Sequence, residues 1–290
     1  MAILVDAASN VIMQGMTGRQ GQYHTDRMLR YGARLTGGVV PGRGGMEVEG
    51  LPVYDTVAEA AGAGEIDVSL VLVPPPFVLE AVAEAADEGI PLVVVVTEGV
   101  PVLDSVRMLS VVQSRGSRVV GPNSIGVISP GKSKVGIMPG NIYHPGPVGV
   151  VSRSGTLTHE VSSNLTYNGI GQSTCLGIGG DPVVGTTFVD ALELFAEDPE
   201  TEVVVLVGEI GGTAEQDAAD YLRMGYTKPV IAYIAGQNVP YQKRMGHAGA
   251  IVEGEMAKAS VKREYLREAG VTVVPLVDDI VSEVRAALSR

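Results

Sequence analysis

The chain carries one cysteine, Cys175, no tryptophan and only three phenylalanines. A single cysteine excludes a disulfide scaffold and a zinc site built on several thiolates, and one cysteine standing alone reads as a small buried residue. Cations are scarce too: 21 Lys plus Arg face 33 Asp plus Glu, a net charge of −12. That balance argues against nucleic acid or an anionic membrane surface as partner. Long apolar runs are absent. The stretch Ile90–Val96 falls far short of the roughly 20 residues of a membrane span. No charged-then-apolar leader occupies residues 1–10 and no lipidation motif is visible, which leads to the expectation of a cytoplasmic protein.

Glycine is what the chain has in excess, 38 of 290 residues, in a sequence that is 45% hydrophobic. Disordered chains are glycine-rich among polar residues, whereas these glycines sit beside Val/Ile runs. The pattern predicts many tight turns between strands and helices. Strands are predicted at Val11–Gln14, Arg34–Val39, Val68–Val73, Leu92–Thr97 and Arg118–Val120. A second series follows at Val148–Val151, Gln172–Leu176, Glu202–Val207, Val230–Ile234 and Val271–Val274. Runs such as Val203–Val207 suit strands buried on both faces of a parallel sheet. Helical periodicity lies between them; Ile280, Val281, Val284, Ala287 and Leu288 share one face. Strand–helix alternation predicts an α/β fold with right-handed crossovers. The Pro/Gly-rich stretch from Ser129 to Gly149 marks the expected boundary, giving domains at 1–130 and 147–290 joined by a linker at 131–146.

Two glycine clusters carry chemistry. Val11 to Gly21 reads as strand, Gly-rich turn and helix, with the spacing GxxGxxG. Such a turn aims backbone N–H groups and a helix dipole at a phosphate. An NAD site wants a carboxylate at the end of the second strand. Here that end reads Val40-Pro41-Gly42-Arg43-Gly44, and a cation suits a phosphorylated ribose, as in NADP or coenzyme A. Val73-Pro74-Pro75-Pro76-Phe77 and Thr97-Glu98-Gly99 are the next unusual strand ends. In the second cluster, Ser152-Arg153-Ser154-Gly155-Thr156 opens a helix and can hold a phosphate. Glu209 lies between glycines at a strand end, and His247 lies in a bare loop, Gly246-His247-Ala248-Gly249. Histidine, carboxylate and helix start together would make a phosphohistidine site: neutral imidazole attacks phosphorus through one nitrogen while the carboxylate holds the proton on the other.

Read in order, QGMTGRQGQYH, GGVVPGRGG, LPVYDTV, VPPPF, TEGVP, GPNSIGVISPG, VSRSGTL, GIGGDPV, GEIGG and KRMGHAGAI cover nearly the whole chain. In order and spacing they resemble the α subunits of succinate–CoA ligase, a family of NDP-forming acyl-CoA synthetases. The resemblance implies a Rossmann-like CoA-binding domain followed by a flavodoxin-like ligase domain. It also implies a β subunit with an ATP-grasp domain holding ATP or GTP with Mg, in an αβ or α2β2 assembly. The implied reaction is carboxylate + CoA + NTP ⇌ acyl-CoA + NDP + phosphate. By position, His247 would be phosphorylated, Glu209 would be its carboxylate partner, and Ser154, Gly155 and Thr156 would hold the phosphate. Thr17, Gly18, Arg19, Gln20, Pro41, Arg43, Val73, Val96, Thr97, Glu98 and Asn123 would line the CoA site. Arg43 stands where the family usually has Lys.

Three departures stand out. Ser124-Ile125-Gly126 replaces the family's usual Cys-Pro-Gly, and His159 replaces its Tyr. Both fall where the organic acid would bind, so Ser124, Ile125 and His159 are candidate substrate contacts. A hydroxyl at 124 and a smaller ring at 159 leave a larger or hydroxylated acid, malate or citrate, open beside succinate. Glu253 and Glu255 follow the histidine loop where a glycine-rich run is usual. A catalytically silent CoA-binding protein is the alternative of another class.

Overall fold

The computed structural model describes residues 2–237, 239–240 and 243–289; residues 1 and 290, the outer ends of the two expected domains, lie outside them. The first half runs β1 (Asn10–Gln14), α1 (Arg19–Tyr31), β2 (Arg34–Val39), β3 (Glu47–Val48), β4 (Leu51–Tyr54), α2 (Val57–Ala63), β5 (Val68–Val71), α3 (Val78–Asp87), β6 (Leu92–Val95), α4 (Val102–Arg115) and β7 (Arg118–Val120). The second runs β8 (Gly126–Ser129), β9 (Ser133–Gly136), β10 (Pro145–Ser152), α5 (Gly155–Tyr167), β11 (Gln172–Gly177), α6 (Phe188–Glu197), β12 (Val203–Glu209), α7 (Ala214–Arg223), β13 (Val230–Ala235), α8 (Ala259–Glu268), β14 (Thr272–Val274) and α9 (Asp279–Leu288).

Each half is built on a seven-stranded sheet among the described residues. The first has the order β3-β4-β2-β1-β5-β6-β7, parallel except for the edge pair β3–β4. This is a doubly wound, Rossmann-like sheet whose strand order reverses between β1 and β5. The second is ordered β14-β13-β12-β10-β11-β8-β9. Its five parallel strands follow the flavodoxin-like order, with the reversal between β10 and β12. Strands β5, β6 and β12 are buried along their whole length, as their unbroken apolar runs predict. Large rings are rare in the core; Phe188 and Phe195 of α6 are the bulkiest fully buried side chains.

The stretch expected to be a linker proves to be structured. Strands β8 and β9 form a hairpin that adds antiparallel to β11, so the chain enters the second sheet at Gly126, ahead of the boundary at 130. The Pro/Gly signal is the hairpin turn itself: Lys132 N–H donates to Ser129 O at 2.9 Å, with Gly131 at φ +76°. Proline then glycine at the two central positions is the chemistry of a type II turn. Strands this short carry too few β-branched residues to register as a run. The hairpin packs against α1, and Ser129 Oγ donates to Val5 O at 2.9 Å. Buried side chains of both halves, Met13 and Val94 with Val127, Val135 and Val151, belong to one continuous cluster.

Candidate active site

In open α/β sheets ligands gather outside the carboxyl ends of the strands, at the point where the strand order reverses. At the first such point, β1 is followed by Gly15, whose φ is +88°; a methyl group there would fall 2.9 Å from Leu72 O. The turn crosses α1 so closely that a methyl group at Gly21 would sit 2.3 Å from Gly15 O. Helix α1 begins at Gly18 with no side-chain cap. Its first N–H groups, at Arg19 and Gln20, therefore lack intrahelical acceptors and form the positive end of the helix. Gly18, Arg19 and Gln20 are exposed and Thr17 is half-buried. Pro41 and Arg43 are exposed on the loop after β2, which is pinned by Gly44 N–H donating to Asp55 Oδ1 at 2.8 Å. Thr97 Oγ1 donates to Val73 O at 2.7 Å, tying the ends of β5 and β6 together. Val96 is half-buried beside them and Glu98 is exposed.

Asn123 leads from this edge to the next. Its N–H donates to Thr97 O at 3.0 Å, and its side-chain Nδ2 donates to Asp181 Oδ1 at 2.9 Å. Asp181 is 9% exposed. Burial pushes its carboxyl up and Glu98 adds to that, while the Asn123 amide opposes it. The loop carrying Asp181 also seats the histidine. A methyl group at Gly180 would lie 2.2 Å from Cγ of His247, and Gly249 N–H donates to Gly180 O at 3.1 Å. Only a residue without a side chain lets the imidazole lie against the backbone there.

The second reversal point carries the charged centre. Glu209 ends β12, and its oxygens lie 3.0 and 3.1 Å from His247 Nδ1. The hydrogen bond to Glu209 raises the pKa of His247 above the usual imidazole value, against the pull of burial. Arg153 Nε stands 3.6 Å from Glu209 Oε1, and Arg153 also donates to Gly211 O at 3.1 Å. Behind them Glu215 is fully buried, 3.2 Å from Arg153 and paired with Lys262. Burial pushes Glu215 up, but the charges of Arg153 and Lys262 outweigh it and hold the group below the usual carboxylate value. Glu215 also accepts from Glu209 N–H at 3.0 Å. On the neighbouring strand end, Ser154 caps α5 by accepting from Leu157 N–H at 3.3 Å. The first turn leaves the N–H groups of Gly155 and Thr156 without intrahelical acceptors.

The candidate acid contacts separate into different surroundings. Ser124 is 3% exposed; its hydroxyl donates to Gly177 O at 2.5 Å and accepts from Gly126 N–H at 2.8 Å. That corrects the expectation of a free hydroxyl for a hydroxylated acid: Ser124 ties the start of β8 to the end of β11. Ile125 packs against the start of α5, where a methyl group on Gly155 would meet it at 2.7 Å. His159 Nδ1 lies 2.8 Å from the Tyr143 hydroxyl, and burial lowers its pKa. Glu253 and Glu255 are exposed, and Glu255 pairs with Lys258.

Sequence reasoning assigned no role to four residues of this centre. Arg153 and Asp181 sit inside the Ser-Arg-Ser-Gly and Gly-Gly-Asp-Pro turns, and a charge between glycines or hydroxyls at a strand end is a signal that could have found them. Glu215 and Lys262 lie in helical segments, where one sequence makes them look like ordinary surface charges.

The family model described as "CoA binding domain" matches residues 6–99, and the one described as "CoA-ligase" matches 151–272. The chain is 52% identical over 288 residues to the "Succinate--CoA ligase [ADP-forming] subunit alpha 1" of Archaeoglobus fulgidus, covering 99% of each. It is 51% identical over 276 residues to the corresponding α subunit of Aquifex aeolicus, covering 94% of this chain and 90% of that one. Among solved structures, the ATP citrate lyase of Methanosaeta concilii in complex with (3S)-citryl-CoA superposes with a TM-score of 0.91 at 28% identity over 99% of this chain. The chain spans about half, 50%, of that larger protein. Among the described residues no helix is long and apolar enough to cross a membrane. The chain belongs to the family of succinate–CoA ligase α subunits.

Proposed function

We propose that this chain is the α subunit of an ADP-forming succinate–CoA ligase, working with a β subunit whose ATP-grasp domain holds ATP with Mg. The reaction joins succinate and CoA at the cost of one phosphoanhydride bond, with phosphate carried on His247. The observation that bears the reading is the pair His247–Glu209 at the carboxyl end of β12. With Nδ1–H donated to Glu209, the lone pair on Nε2 is left as the nucleophile. Attack on phosphorus by Nε2 forms the N–P bond as the bond from phosphorus to its leaving oxygen breaks. The imidazolium that results is balanced by Glu209. The start of α5, with the hydroxyls of Ser154 and Thr156, suits the phosphoryl oxygens. Coenzyme A would lie along the first sheet's edge. Its phosphates would meet the start of α1 and Arg43, and its pantetheine arm would pass Val73, Val96, Thr97 and Glu98 toward Asn123. Ile125 and His159 are the side chains left near the acid.

The test is labelling with γ-phosphate-labelled ATP of the chain purified with its β partner. An acid-labile, base-stable label that His247→Asn removes, together with turnover, is the expected result; labelling and turnover that survive His247→Asn would overturn the reading. A panel of succinate, malate and citrate then checks the acid, with succinate giving the highest kcat/KM. The mass of the complex separates αβ from α2β2.

A further inference from the structure

A second feature lies outside this machinery, at the seam between α1 and the β8–β9 hairpin. A cavity of about 400 Å³ opens there, lined by Tyr23, His24, Arg27 and Tyr31 from α1 and by Lys134 and Met138 from the hairpin side. That volume is within the usual range for small-molecule sites, about 300–1,000 Å³. Its charge is unusual. In a chain of net charge −12, no acidic side chain lines this cavity among the described residues.

Lys134 is the centre of the argument. The residue is 2% exposed, and its ammonium, which opens on the cavity, has no hydrogen-bond or ion-pair partner among the described residues. Buried lysines are ordinarily paired, because an isolated charge removed from water is expensive. Burial, joined by the like charge of Arg27, draws the lysine pKa down to about 8. His24 presents a second unsatisfied group, since its Nδ1 is buried with no partner. Burial and Lys134 lower that imidazole to about 4, so at neutral pH it is uncharged and can share a proton with an oxygen. Arg30 already holds Asp26 at 2.7 Å, but Arg27 lies only over the Tyr23 ring, 5.3 Å from its centre. One anionic group in the cavity would satisfy the lysine and relieve the repulsion between Lys134 and Arg27. The space exceeds a bare oxyanion, and the rings of Tyr23 and Tyr31 supply apolar walls for the rest of a ligand.

We propose that this cavity binds the carboxylate or phosphate group of a small organic anion, with Lys134 as the buried counter-charge and Arg27 at the solvent side. The site is separate from the start of α1, where the exposed residues are Gly18, Arg19 and Gln20.

Equilibrium dialysis of the full chain, with the partner it copurifies with, tests this using two probes: inorganic phosphate and the polycarboxylate tricarballylate. The expected result is a millimolar-or-tighter class of sites that Lys134→Met weakens by about tenfold or more, the worth of one charge-assisted hydrogen bond. Lys134→Arg should keep it. Phosphate held at the start of α5 would persist in Lys134→Met and so stays distinguishable. Arg27 is exposed, so Arg27→Gln tests the same site even if Lys134→Met folds poorly, and it should weaken binding severalfold. A response to phosphate alone assigns a phosphorylated ligand, and one to tricarballylate alone a polycarboxylate. Isotherms for both probes that are unchanged in Arg27→Gln and in whichever Lys134 variants fold, or no binding of either probe, overturn the proposal.

Discussion

Under the proposed function, the two sheets put one topological device to two kinds of work. At β1–α1 the helix starts on a bare glycine, and the residues around it are exposed. At β10–α5 the helix start is capped by its own serine, and the neighbouring strand end holds a chain of charges running inward from half-buried His247 to buried Glu209, Arg153, Glu215 and Lys262. A ligand that arrives from solvent and leaves again is served by backbone N–H groups and flexible cations. A residue that must react needs its protonation set before the substrate arrives, and that takes fixed charges in a poorly solvated place.

The comparison breaks first at Glu209. If the buried carboxylate sets the ionisation of His247, Glu209→Gln should slow phosphorylation of His247 by about 10²–10⁴-fold, the range for losing a base or its orienting carboxylate. The pH profile gives the sign. In the proposed mechanism neutral imidazole is the nucleophile, so the wild-type rate should climb with pH through a pKa above the ordinary 6.5. Removing the carboxylate takes away the main cause of the rise, so the limb should move to lower pH while the plateau falls. Single-turnover labelling against pH reads both; a slower rate with an unmoved limb would mean Glu209 does not set the ionisation of His247.

Next come the two close approaches, one per sheet. Gly180→Ala would put a methyl group 2.2 Å from the His247 ring, and Gly21→Ala one 2.3 Å from Gly15 O. Misplacing the reacting ring should cost roughly 10²-fold in phosphorylation and leave CoA affinity alone. Gly21→Ala should do the reverse, raising KM for CoA with labelling of His247 intact. If either variant damaged both readouts equally, the division of labour between the sheets would fail.

Lys262 tests the support behind the reactive pair. Lys262→Met leaves Glu215 buried with Arg153 as its one remaining cation and should cost about 3 kcal/mol of stability, as breaking buried pairs does. Because the folded state holds Glu215 below its usual carboxylate value, its contribution is present above the unfolded pKa and is lost as pH falls through the folded one. With Lys262 gone, that acid loss should begin at higher pH. Denaturant unfolding at neutral pH and Tm against pH measure the two effects.

Much of this was legible in one sequence, for a reason that also marks the limit. The parallel strands announced themselves because burial on both faces demands unbroken apolar runs, as in β12. Gly15, Gly21, Glu209 and His247 stood out because turns that let a ligand approach the backbone must be made of small residues. The β8–β9 hairpin was hidden, since the proline and glycine that make its turn are the same residues that make a linker. Glu215 and Lys262 were hidden because helical residues show their burial only once α7 and α8 are packed. Ser124 was visible as a departure, but its bond to Gly177 spans 53 residues and no local spacing announces it.

The smallest expected effect lies at Arg43, on the exposed side of the comparison. Its guanidinium has no ion-pair partner among the described residues and stands free on a loop pinned at Gly44. A solvent-exposed cation meeting a phosphate gains little beyond a charge-assisted hydrogen bond. Arg43→Ala should therefore raise KM for CoA about tenfold and leave kcat and labelling of His247 unchanged. Arg43→Lys keeps the charge but loses the two-pronged geometry, so it should fall between the two. Raising the salt concentration should shrink the difference among all three, because an exposed charge is screened within a Debye length of about 8 Å at physiological ionic strength. The effect of Glu209→Gln, made between buried groups, should barely respond to the same change. An Arg43 effect that resists salt would place that arginine in a closed site, and the contrast between an open first edge and a closed second one would have to be redrawn.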